Sequence, residues 1–109
     1  MDTIWQVGGE SYPLRLTAGS MVQIEQKLGQ GLFAALNHLD NFSTVLILLW
    51  GALLSTRPSL KEQEVYAIYD NYVAEGGNFQ LLTSLLLEVL EKAGFVASAD
   101  NAEEKKMGK

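Results

Sequence analysis

The chain has no cysteine, one histidine and two prolines in 109 residues. Without cysteine there can be no disulfide, no thiolate zinc site and no thiol nucleophile, a composition that suits a reducing cytoplasm. Basic residues are also scarce: eight Lys and Arg stand against thirteen Asp and Glu, for a formal charge of −5. Such a surface repels phosphate backbones, so nucleic acid is not an expected partner. Long apolar runs are missing as well. The most apolar stretch, Val45 to Leu54, falls well short of the roughly 20 residues that cross a bilayer. It reads as a buried central helix, and no membrane association is expected. The opening Met1-Asp2-Thr3-Ile4-Trp5 has neither the basic region nor the apolar run of a signal peptide.

What is present is apolar surface in excess. Hydrophobic residues make up 48% of the chain, charged residues 19%, and the mean hydropathy is +0.07. A chain of this length forms one domain with a modest core. The surplus apolar surface of a small domain commonly serves an interface. The expected fold is mainly α: four to five helices with an N-terminal β-hairpin over residues 1–97, followed by a flexible polar tail over 98–109.

Local signals place these elements. Ile4-Trp5-Gln6-Val7 and Tyr12-Pro13-Leu14-Arg15-Leu16 read as two strands joined through Gly8-Gly9-Glu10-Ser11, with glycine supplying the positive φ of a tight turn. Pro13 marks an edge strand, and Arg15 should face solvent. Thr17 or Ser20 caps the first helix, Ser20 with Gln23 having capping-box spacing. Met21, Ile24 and Leu28 recur along that helix, and Gly29 ends it. A short second helix follows Gly31, with Leu32, Leu36 and Leu39 on one face. Asp40, Asn41 and Ser43 cluster before a third helix, Phe42 to Leu54, that is apolar almost all round and therefore central. Leu46, Leu49, Trp50 and Leu53 should be its buried residues. Ser59 with Glu62 suggests a second capping box before the fourth helix, whose stripe is Val65, Ile68, Tyr69, Tyr72 and Val73. Asn78 caps a fifth helix, Phe79 to Ala93.

Groups with chemical potential are few. His38 has no neighbour in sequence to complete a base or a metal site and reads as a helix-end residue. Glu62, Glu64 and Asp70 read as a solvated face, not as an acid–base pair. Gly8-Gly9 precedes a strand, so it lacks the helix N-terminus of a phosphate loop. No catalytic, cofactor or metal residue is assigned. The more informative residues lie off the core stripes. At 100° per residue, Phe79, Leu82, Leu86, Val89, Leu90 and Ala93 form the core face of the fifth helix, flanked by Leu81 and Leu85. Leu87 falls on the opposite side, among Gln80, Ser84 and Glu91. Tyr66 and Phe33 lie off the stripes of the fourth and second helices in the same way. Phe33, Tyr66 and Leu87 are therefore the candidate partner-binding residues.

The ordered strings of the chain resemble those of the tail assembly chaperones of long-tailed, siphovirus-type bacteriophages. The matching pieces are Tyr12-Pro13-Leu14-Arg15-Leu16 after a Gly-Glu turn and Ile24-Glu25-Gln26-Lys27-Leu28-Gly29. Leu49-Trp50 follows in an apolar helix, then Glu64-Val65-Tyr66, Asp70-Asn71-Tyr72-Val73 with Glu75-Gly76-Gly77, and Lys92-Ala93-Gly94-Phe95. They span about Ile4 to Val96, and only their ordered combination is specific. The resemblance implies a protein that is not an enzyme and needs no cofactor. Such a protein binds the tape measure protein and keeps it soluble in the host bacterial cytoplasm, and it is absent from the mature virion. It also implies recruitment of the tail tube protein through a frameshifted longer product, for which codons at Met107-Gly108-Lys109 could form the slippery site. Self-association is a further expectation. The alternative is a generic helical adaptor or dimerisation module with no tape-measure role.

Overall fold

The computed structural model describes residues 2–95. The expected tail over 98–109, and with it Met107-Gly108-Lys109, lies outside the described residues. The order of elements is β1 (Thr3–Val7), β2 (Glu10–Leu14), α1 (Ala18–Leu28), α2 (Leu32–Leu36), α3 (Phe42–Leu53), α4 (Glu62–Ala74) and α5 (Phe79–Lys92). The fold is mainly α with an N-terminal antiparallel hairpin, as the sequence predicts.

The hairpin turns more tightly than the sequence reading has it. Gly8 and Gly9 have φ of 61° and 77°, so a two-residue loop suffices. Glu10 and Ser11 are then free to join β2, pairing with Val7 and Gln6. Thr3, Trp5 and Val7 point inward and are buried. Arg15 lies just beyond β2, its side chain exposed as expected, while its backbone N–H donates to the Ala52 carbonyl at 2.9 Å. That bond fastens the hairpin's exit to the end of α3.

Helix α3 is the centre. Asn41 caps it, its Oδ1 accepting from the Thr44 N–H at 3.2 Å. Residues from Thr44 to Leu53 are buried except Ile47, which is half-buried. Leu46, Leu49, Trp50 and Leu53 are all in the core. Helix α1 crosses α3 at Gly51, where an added Cβ would collide with the Ile24 side chain. The absence of a side chain at Gly51 sets how closely the two helices pack.

Two capping assignments are corrected. The box on α1 is Thr17 with Ser20, not Ser20 with Gln23: the Ser20 N–H donates to Thr17 Oγ1, and the Thr17 N–H to Ser20 Oγ. Helix α4 starts after Lys61, not after Ser59. Glu64 Oε1 accepts from the Lys61 N–H at 2.8 Å, and a lysine ammonium has no acceptor to return the bond. The delay has a tertiary cause. Trp50 Nε1 donates to the Leu60 carbonyl at 2.9 Å, which anchors the chain just before Lys61, whose backbone is extended. The stripe on α4 is narrower than the sequence reading has it: Val65 is buried and Ile68, Tyr69 and Tyr72 half-buried, but Val73 is exposed. It sits 100° past Tyr72 and has turned away from the core. Helix α5 buries Leu82, Leu86, Val89 and Leu90, as its periodicity predicts.

A run of aromatic rings links the layers. Tyr12 packs on Trp5, Trp5 edge-on to Tyr72, Tyr72 on Tyr69, Tyr69 edge-on to Phe42, and Phe42 on Phe79, with centroids 5.1 to 6.1 Å apart. These spacings are the favourable range for ring pairs. The run passes from β2 through β1 and α4 to the first turns of α3 and α5.

Candidate partner-binding surface

The run of rings ends at the surface. Phe42 occupies the first position of α3, where it caps no core layer, and remains 48% exposed. One turn later Leu46 is buried, so the two share a face of α3. Opposite them, α4 presents Tyr66, 47% exposed, and the half-buried Tyr69. Between the helices lies an open cleft of about 270 Å³ lined by Phe42, Ser43, Leu46, Tyr66, Tyr69 and Asp70. Burial raises the Tyr69 hydroxyl pKa above its ordinary 10.0, with the neighbouring Tyr72 and Asp70 adding to the effect. The phenol therefore stays neutral at physiological pH, a hydrogen-bonding group at the cleft's edge.

Of the three candidate residues, Tyr66 lies in this cleft. Phe33 does not: it is 69% exposed on α2, and its ring packs on Phe95 at 4.7 Å. Leu87, 40% exposed on α5, lines neither group of rings. Phe33 and Tyr66 thus belong to two separate aromatic patches. The sequence reading missed Phe42, because α3 is apolar all round and its periodicity does not reveal which end stays open. It also ranked Leu81 as a flank of the core, although Leu81 is 56% exposed, more than Leu87. Ile4 and Val22 are further exposed apolar residues that the reading did not single out, and Val73 is one that it placed on the α4 stripe.

A second, larger cleft of about 600 Å³ lies between α1, α3 and α4, lined by Gln23, Gln26, Lys27, Ile47, Trp50 and Glu62. Its mouth is spanned by the Lys27–Glu62 ion pair at 3.0 Å, with the Lys27 ammonium 5.1 Å from the Trp50 ring centre. Its walls mix the amides of Gln23 and Gln26 with Ile47 and Trp50, and its two charged groups pair with each other.

The acidic groups weighed in the sequence are dispersed by the fold. Glu62 pairs with Lys27, Glu64 caps α4, and Asp70 borders the aromatic cleft. His38 is exposed in the turn after α2. Gly8 forms the hairpin turn and donates its N–H to Glu75 Oε1 at 2.9 Å. Among the described residues no group of three or more His, Asp or Glu is placed to hold a metal ion, and no helix is long and apolar enough to cross a membrane.

Compared with known family models, curated proteins and solved structures, the chain matches none significantly. The family resemblance rests on the ordered strings of the sequence.

Proposed function

We propose that this chain is a tail assembly chaperone of a long-tailed phage, which covers apolar helical stretches of the tape measure protein in the host cytoplasm before the tail tube forms around it. The observation that supports this reading best is the open aromatic cleft between α3 and α4. It places three rings at the surface of an acidic helical domain. A long helical polypeptide with exposed apolar stripes aggregates unless covered, and an apolar groove between helices accepts such a stripe. Several copies on one chain gain by avidity, yet each contact stays weak enough for tube subunits to displace. Recruitment of tail tube protein would fall to a frameshifted longer product.

Co-expression with the long helical open reading frame expected beside the gene tests the reading. The two products should copurify, and the long protein should stay soluble only in the presence of the chaperone. If that protein is soluble alone and does not copurify, the chain is a helical adaptor of another kind.

A further inference from the structure

The chain supplies its own cations to two of its aromatic faces. Lys27 lies over Trp50, and the Arg57 guanidinium lies 4.5 Å from the centre of the Tyr12 ring while also meeting Glu10 at 3.7 Å. The α3–α4 cleft receives none. It is lined by the rings of Phe42, Tyr66 and Tyr69 and bordered by Asp70, and no basic side chain lines it. Among the described residues Asp70 has no ion pair, whereas four of the five basic side chains, Arg15, Lys27, Arg57 and Lys92, are already in one. Ring faces and a carboxylate attract a cation in the same direction.

The surface also has helical length. Tyr66, Asp70 and Val73 are exposed at i, i+4 and i+7 of α4, a stripe about 10 Å long. Charge decides between occupants. Residues 2–95 carry ten carboxylates against five basic groups, so the whole net charge of −5 falls on this body. A second copy would bring the same excess of negative charge to the cleft.

We propose that the α3–α4 cleft binds a cationic amphipathic helix of a partner protein. One large apolar side chain enters between Phe42, Tyr66 and Tyr69, and a lysine or arginine one turn away meets Asp70. The inference rests on the same cleft as the proposed function and adds the charge of the helix that the cleft takes.

The test uses the full chain and two synthetic peptides of about 14 residues, long enough to form a helix on binding. One contains leucine at helical spacing with lysine elsewhere; the other replaces every lysine by glutamate. Calorimetry gives affinity, and backbone amide shifts locate the contact. The lysine peptide should bind, shifting Ser43, Leu46, Tyr66 and Asp70, and the glutamate peptide should not. Asp70→Lys should weaken binding about tenfold, as loss of an interfacial charge pair does. Glu91→Lys, which changes the net charge equally on α5 away from the cleft, should change it less than about twofold. Tyr66→Ala should also weaken it, with a thermal melt confirming that each variant folds. Equal effects of the Asp70 and Glu91 variants would show attraction to net charge alone and overturn the proposal. Equal binding of both peptides, amide shifts centred elsewhere, or no binding of the lysine peptide would overturn it too. So would concentration-dependent dimerisation that Tyr66→Ala abolishes, because the cleft would then belong to a second copy. Copurification with the long helical protein can succeed or fail independently of all these outcomes.

Discussion

At the scale of single residues, the tightest constraint is where α1 crosses α3. Gly51 is buried in the last turn of α3, and within a helix glycine costs about 1 kcal/mol relative to alanine. The fold tolerates this because Ile24, fully buried, occupies the space a Cβ would need. Gly51→Ala should therefore destabilise despite its better helix propensity, by about 1–2 kcal/mol after overpacking is set against propensity. Trimming the colliding side chain tests the cause. In urea unfolding, Ile24→Ala, which removes both colliding carbons, combined with Gly51→Ala should cost less than the sum of the two single changes. Simple additivity would place the strain elsewhere. Trp50 carries a different load, since its ring lies in the core while its Nε1 holds the Leu60 carbonyl. Trp50→Ala should cost about 3–5 kcal/mol. Trp50→Phe should cost less in the core, yet leave the Leu60 carbonyl without its donor. Lost amide protection at the start of α4 in the Phe variant would report that bond.

Among elements, the helices are tied together by glutamates acting at a distance. Glu25, on α1, accepts the Leu32 N–H at 2.8 Å and so caps α2, whose own N-cap residue, Gly31, has no side chain to do so. Glu75, the C-cap residue of α4, accepts from the hairpin turn, and Glu88 on α5 accepts from Thr3 of β1. Glu25→Ala should cost about 1 kcal/mol, the usual value of a helix cap. It should also speed amide exchange over Leu32–Leu36 before other helices are affected; unchanged exchange there would mean that α2 is held by packing alone. These ties mark the boundary of what the sequence makes legible. Gly8-Gly9, Gly29, Asn41 and Asn78 act within a few residues of their own positions, so the hairpin and three helix ends could be read locally. The start of α4 could not, because Trp50 sets it from ten residues away in sequence. Nor could the cleft. Tyr66 stands out as a residue off the core stripe, but Phe42 belongs to a helix without a polar face. Its exposure depends on where α4 and α5 dock.

For the whole molecule, acid stability and the proposed partner binding both depend on how the acidic body is assembled. The Glu88 carboxyl is held below its ordinary 4.5, first by the hydrogen bond it accepts from Lys92 and then by the one it accepts from Thr3. A depressed folded-state pKa stabilises the fold above the unfolded value and loses that contribution as pH falls through the folded value. Stability should therefore decline below about pH 4.5 in part through Glu88. Because this carboxylate is nearly half exposed, its share should stay under about 1 kcal/mol. Glu88→Gln should flatten that part of the acid limb in urea titrations; an unchanged limb would assign the loss to other carboxylates. The two aromatic patches bear on how the proposed long partner would be held. Phe33 packs on Phe95, and Tyr66 faces Phe42 and Tyr69, with no ring pair joining the two groups among the described residues. Charged substitutions at Phe33, Tyr66 and Leu87 should leave unfolding cooperative, since all three are exposed. Phe33→Glu should be the costliest of them, losing a ring pair worth about 0.5–1.5 kcal/mol. For binding to the long helical partner, separate patches should act independently. The losses from Phe33→Glu and Tyr66→Glu should then add to within about 0.5 kcal/mol in a double-mutant cycle. Coupling well above that value would mean that one segment of the partner bridges both patches at once. Leu87→Glu, which adjoins neither patch, should change affinity least; if it proves the strongest of the three, the binding face lies along α5 instead.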